Sequence, residues 1–597
     1  MRKSIAAAVA VVLLVAACSG EQATVDPLDE SANAATVLHE IFDEFFERSL
    51  VLNPLRATSI GDDRFNDQYA NSIGPEHIEA RRVLNEEMLA RLLEIDRSKL
   101  SRQDQLSYDM FRLNREQSLE GHRFPGHLQP INQFRSALNT FVRLGSGSST
   151  HPFKTVKDYD DWLSRIDGFV VYADQAIQNM KEGARQGVVQ PRVLMAKSLP
   201  QIESQVVDSA EESGYWSPIA NMPEDFSDAD RERLTAAFRD AIETKVIPVY
   251  RRMSNFVGDE YLGNARETVG LYALPDGPQW YAHNVKRITT TDLTPDEIHQ
   301  IGLNEVARIH GEMREVMERV GFEGDLNEFF EYVYAEPQFF FDEPEQLIQA
   351  YRDMSAEIEA LAPQFFDLFP KTEFEVRRVE PFREQSASKG SYQSGSPDGS
   401  RPGIFYANAY NVGIRPKWDM RSLFLHEAIP GHHFQISLAR ENEGLPKFRR
   451  FGGYTAYTEG WGLYSEYLGR EMGVYNDPMD LFGSLNAELW RSIRLVVDTG
   501  LHAKGWTRQQ VLDFMYANSA VSETRAVSEA ERFMAIPGQA LAYKIGQLKI
   551  IEIRRNAEAA LGDKFDIAEF HAQVLMDGSM PLSTLENKID RWVQSQM

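Results

Sequence analysis

Cysteine is almost missing from this chain: Cys18 is the only one among 597 residues. That excludes internal disulfides and any cysteine-ligated zinc or iron–sulfur site, so a metal would have to rest on histidine and carboxylate. Positive charge is also scarce. The 63 Lys+Arg face 89 Asp+Glu for a net charge of −26, and an acidic surface of that size repels a phosphate backbone, which excludes nucleic acid as a partner. Long hydrophobic runs are absent too, since no stretch reaches the roughly eighteen apolar residues of a spanning helix. What remains is globular in composition, with 43% apolar, 25% charged and 11% aromatic residues, long enough for a large core.

The chain opens with Arg2 and Lys3, then thirteen apolar residues from Ile5 to Ala17, then Cys18. The apolar run is too short to cross a bilayer, and the order of charged, apolar and small residues is that of an export signal. Val15-Ala16-Ala17-Cys18 resembles the bacterial lipobox, which implies cleavage before Cys18 and acylation of its sulfur. Residues 1–17 are therefore expected to be a signal peptide and residues 18–30 a lipidated cysteine and tether. Removing Arg2 and Lys3 takes the net charge from −26 to −28. Ser19, with no Asp after the cysteine, resembles lipoproteins sent to the outer membrane. The expected location is that membrane, facing the periplasm, with the lipid as the sole membrane contact.

Beyond the tether the pattern is helical. Ala32 to Phe46 and Asp160 to Glu182 repeat apolar residues every three and four positions. Thr294-Pro295-Asp296-Glu297 combines an N-cap threonine, a proline at the first helical position and a glutamate three after the cap, which predicts a helix from Pro295 to about Val320. Strand signals cluster in Phe374–Val379 and Gly403–Asn411, separated by the Ser/Gly-rich stretch Gln385–Arg401, and predict a hairpin with a long tip. No internal repeat is evident. The expectation is a mainly α protein with a small β-hairpin or sheet beside the active-site helix. Residues 31–597 form a single large helical domain, with halves 31–270 and 271–597 as the alternative division.

The chemistry concentrates in His426-Glu427-Ala428-Ile429-Pro430-Gly431-His432-His433. A metallopeptidase helix carries His-Glu-x-x-His, because imidazoles four apart share a face and bind one zinc while the glutamate activates water. Here the fifth position is Pro430. In a straight helix His432, six residues on, points to another side. His433 shares the face of His426 but lies ~10.5 Å along the axis, whereas two nitrogens on one zinc are within roughly 4 Å of each other. Pro430 cannot donate to the His426 carbonyl, and Gly431 permits unusual dihedrals, so a bulge could bring His432 beside His426.

This motif, followed by TEGWGLYSE at Thr458–Glu466 and flanked by RPGIFYANAYN and RFMAIPGQALAYKIG, resembles the bacterial family known as domain of unknown function 885 over most of the chain. The stretch LPDGPQWYAHNVKRITTTDLTPDEIH at Leu274–His299 belongs to the same resemblance. That family is similar in logic to gluzincin peptidases, which are helical bowls whose His-Glu-x-x-His is completed by a glutamate on a second helix. The match favours His432 over His433 as ligand and implies Glu459, twenty-seven residues after His432, as the third. A helix from His432 to about Asn442, a turn and a returning helix would bring Glu459 back, and Gly460 and Gly462 would allow close approach. Glu466, seven residues on, either orients a ligand or pairs with an arginine. The gluzincin likeness also implies a His and a Tyr late in the chain that hold the oxyanion, for which His502 and Tyr543 are the candidates. Arg494, Asp498 and His502, four apart, share a stripe in which Asp498 could orient His502. Histidines such as His39, His299 and His571 lie apart from any ligand spacing and are read as solvated or hydrogen-bonded.

The function implied is a zinc metallopeptidase acting on short peptides, of oligopeptidase, dipeptidyl peptidase or carboxypeptidase type. His426, His432 and Glu459 hold Zn²⁺, Glu427 is the base, and the Gly403–Asn411 strand pairs with extended substrate. Arg415, Lys417, Arg421, Arg449 and Arg450 are candidates for a peptide carboxylate. The rivals are a zinc hydrolase of non-peptide amides or esters and a non-catalytic binding lipoprotein.

Overall fold

The computed structural model describes residues 27–380, 384, 387–395 and 401–597. The expected signal peptide, Cys18 and the tether as far as Asp26 lie outside the described residues. Helices dominate, and the one predicted after Thr294 runs Pro295–Arg319. Its start is set as the sequence indicates: the Glu297 N–H donates to the Thr294 hydroxyl at 3.3 Å, and the Thr294 N–H donates to the Glu297 carboxylate at 2.8 Å.

The apolar stripes of these helices close several cores. The first joins Leu38, Phe42 and Phe111, from the N-terminal helices, to Phe424, Trp461, Val574 and Trp592. A second has its buried residues between Ile131 and Ala265, around Phe141, Trp162 and Phe169, with Tyr69 packed against them. A third packs the helix Pro295–Arg319 on the helix Pro478–His502 through Ile309, Met313, Ile493 and Val497. Close approach there needs Gly302, where an added Cβ would come within 2.8 Å of both Val496 and Leu495. Charges bridge the same layer: the buried Lys544 ammonium donates to Glu488 at 2.6 Å and pairs with Glu305 at 2.8 Å, and Arg308 reaches Glu488 at 2.6 Å.

The strands correct the sequence expectation. β1 (Phe374–Arg378), β2 (Gly390–Gln393) and β3 (Gly403–Ala407) form one sheet in the order β1-β3-β2. β1 pairs parallel to β3, so these two are not a hairpin, and the stretch between them contributes β2, antiparallel to β3. The central strand is therefore β3. Its backbone is paired on both sides, and it cannot add a substrate strand as expected for Gly403–Asn411; β2 is the edge beside the histidine motif.

Candidate metal centre

The helix Met420–Glu427 carries His426 and Glu427 to its last turn, then breaks. The chain turns through Ala428 and a cis Ile429–Pro430 bond, and a new helix starts at His432 and runs to Glu441. The break depends on Gly431, where a Cβ would sit 2.0 Å from the His426 carbonyl oxygen and 2.3 Å from that of Leu425, positions no side chain tolerates. Trp461 secures it from the next helix by donating its indole N–H to the Pro430 carbonyl at 2.9 Å. The interruption turns His432 back towards His426, and their ring centres lie 4.7 Å apart.

The returning helix, Thr455–Leu468, supplies Glu459. One Glu459 oxygen lies 3.4 Å from His426 Nε2 and 3.6 Å from His432 Nε2. A nitrogen from each ring and that oxygen all lie within 4.8 Å of one another, on residues that are buried or nearly so. Ligands about 2.1 Å from a tetrahedral zinc stand about 3.4 Å from each other, and the two Glu459 spacings would suit a shared cation. Two imidazoles and one carboxylate are also a donor set that suits zinc. His426 Nδ1 meets Glu466 at 2.8 Å, which fixes the ring and leaves Nε2 facing Glu459. Glu466 in turn accepts from the Ser422 hydroxyl and lies 3.5 Å from Arg491. Both readings of Glu466 from the sequence thus coexist in one side chain.

Electrostatics reinforce the geometry. Burial opposes a charge on His426, but Glu459 and Glu466 outweigh it and raise its pKa to about 9. Burial likewise opposes ionisation of Glu459, and the two imidazoles still hold it well below the usual carboxylate range. The cluster favours positive charge between its carboxylates.

Glu427, next to His426, accepts from the Tyr392 N–H of β2 at 3.0 Å, so the strand edge and the helix end meet at its carboxylate. Sequence reasoning missed Tyr392, because it lies in a Ser/Gly-rich stretch without alternation. His433 turns the other way: its Nδ1 is 3.0 Å from the Tyr392 hydroxyl, Phe374 packs at 4.9 Å, and burial lowers its pKa to about 4. Tyr543 lies beside the cluster, its ring stacked 6.4 Å from that of His426 and covered by Arg494 at 5.0 Å.

His502 is not brought to the cluster. Wholly buried, it accepts from the Leu271 N–H and donates to the Phe533 carbonyl, both at 3.0 Å, so neither ring nitrogen is left for a substrate oxygen. Asp498 serves Tyr281 and Gly538 instead, accepting at 2.6 and 3.0 Å, and Arg494 pairs with Glu529 at 2.9 Å. The expected stripe is three separate interactions. The arginines near the motif are likewise occupied elsewhere: Arg421 pairs with Glu357 and Asp480, Arg449 bonds Ser107 and the Asp577 carbonyl, and Arg450 bonds the Arg440 carbonyl.

Comparison with known proteins supplies the context. No curated protein matches this chain. A solved structure from Colwellia psychrerythraea, titled as a candidate lipoprotein, is 30% identical with a TM-score of 0.85 over 95% of this chain and 99% of that one. A second, from Shewanella oneidensis and titled as a candidate lipoprotein of unknown function, is 18% identical with a TM-score of 0.73, covering 92% of this chain and 99% of that one, a likeness of fold alone. Among the described residues no helix is long and apolar enough to cross a membrane. The family model of a bacterial protein of unknown function (DUF885) matches residues 54–589, the broken histidine motif and Glu459 included, and the chain belongs to that family.

Proposed function

We propose that this protein is a zinc-dependent metallopeptidase that hydrolyses short peptides, tethered by an acylated Cys18 to the outer membrane on its periplasmic side. The observation that carries the reading is that one Glu459 oxygen lies 3.4 Å from His426 Nε2 and 3.6 Å from His432 Nε2, next to Glu427. Zinc bound there would polarise a carbonyl and make water acidic enough to ionise near neutral pH. Glu427, held by the Tyr392 N–H, takes the proton of the attacking water and returns it to the leaving amine. Glu466 keeps the His426 ring in place through Nδ1. Tyr543, whose ring stacks beside that of His426, would be the phenol that donates to the developing oxyanion. β2, an edge strand whose Tyr392 N–H holds Glu427, would lie alongside an extended peptide.

Digestion of a peptide library by the mature protein, read by mass spectrometry with and without a chelator, tests the activity. Chelator-sensitive cleavage is expected; a library left intact by protein that carries about one zinc per chain would rule the peptidase out. The tether is tested by palmitate labelling, which Cys18→Ser should abolish and whose persistence in that variant would refute the anchor.

A further inference from the structure

A cavity of about 130 Å³ shares a wall with the metal centre, for Glu466, which holds His426, also lines it. Its lining brings together Lys389, Arg491, Arg494 and Arg525, against which stand Asp419 and Glu466. Four cations face two carboxylates in a chain whose net charge is −26. Lys389 is ion-paired with Asp419, and Arg491 lies 3.5 Å from Glu466. Arg494 spends one arm on Glu529. Arg525 rests its guanidinium on the Trp490 ring at 4.8 Å, and its charge reaches the carboxylates of Asp419 and Glu529 without an ion pair to either. The lining thus carries more cationic than carboxylate side chains, the chemistry that attracts an anion.

Its place relative to the reaction follows from β2. Lys389 immediately precedes the strand and Tyr392, whose N–H holds Glu427, is three residues further on. At about 3.3 Å per residue the cationic cavity begins roughly 10 Å along the strand from Glu427, the length of two to three residues of extended peptide. A peptide amino terminus would be repelled by the excess of cations; a terminal carboxylate would be attracted and could engage a guanidinium with two parallel hydrogen bonds.

We propose that this cavity receives the C-terminal carboxylate of the substrate, so that the protein removes two or three residues from the C-terminal end of a peptide. The cleavage register rests on the metallopeptidase reading; binding of the carboxylate does not.

The test is calorimetric binding to the zinc-loaded Glu427→Gln protein, with acetyl-Ala-Ala-Ala as free acid, the same peptide as C-terminal amide, and acetyl-Ala-Ala-Glu amide, which carries its anion on a side chain. The free acid is expected to bind about tenfold or more tightly than the plain amide, as a charge-assisted hydrogen bond warrants. Arg525→Gln should erase that difference without altering zinc content, and Arg421→Gln, away from the cavity, should preserve it. Equal affinity of acid and amide for the unmutated cavity overturns the proposal independently of how any variant folds. A preference for the glutamate amide over the free acid overturns the assignment to the chain terminus. If the wild-type enzyme cleaves peptides internally and treats acids and amides alike, the carboxylate site fails and the peptidase stands. If the Arg525-dependent preference is present and nothing is cleaved, the site stands and the peptidase fails.

Discussion

At the scale of single residues, the metal centre separates side chains by role. His426→Ala, His432→Ala and Glu459→Ala should each lose zinc, while His433→Ala should keep it, because His433 faces Tyr392 and Phe374. Metal analysis decides this, and the reverse pattern between His432 and His433 would overturn the assignment. Glu427→Gln should retain zinc yet lose turnover by roughly 10²-fold to 10⁴-fold, the usual worth of general-base transfer; turnover within about twofold of wild type at unchanged metal content would remove Glu427 from the mechanism. That His426, His432 and Glu459 come together can be read from the sequence, because it hangs on fixed spacings around a proline and a glycine. The role of His502 cannot, since a four-residue spacing fixes the helix face and not what the face meets. Here it meets the Leu271 N–H and the Phe533 carbonyl, over 200 and about 30 residues away in sequence.

At the scale of elements, two glycines of the Glu459 helix set how closely it can pass its neighbours. Gly460 lies against Gly546 of the helix Ala542–Leu561, where a Cβ would come within 2.5 Å of backbone, and Gly462 lies against the His426 ring, where a Cβ would come within 2.7 Å. Gly462→Ala should therefore push the ring from its bond to Glu466 and weaken zinc binding about 10-fold to 100-fold, the range seen when ligand orientation is lost. A chelator competition measures this, and unchanged affinity would show that the ring can shift without cost. The Glu459 helix with Gly460 and Gly462 is legible in the sequence, as are the capped helix after Thr294 and the existence of β1 and β3, whereas the helix Ala542–Leu561 is not anticipated from it. The strand β2 is not: Gly-Ser-Tyr-Gln has no alternation to expose it, and its state is imposed by pairing with β3, which comes later in the chain. The parallel sense of β1 and β3 is hidden for the same reason.

At the scale of the whole molecule, buried neutral histidines govern behaviour in acid. Burial lowers His151 to about 4 and His502 and His571 to about 3. Their unfolded value is about 6.5, so the unfolded chain binds more protons below that pH, and the stability they contribute, complete above pH ~6.5, drains away as pH falls towards 3. Tm should drop steadily from pH 6.5 to pH 4 by scanning calorimetry, less steeply in His571→Gln; a flat profile would show that other groups compensate. The first core has a different consequence, one of time. Leu38 and Trp592 lie in the same core, so it cannot close until nearly the whole chain has left the ribosome. At about 5–20 residues per second the helix of Leu38 waits roughly half a minute to two minutes for its partner. Export in an unfolded state, which the proposed lipid anchor requires, would be given that interval by the topology of the chain.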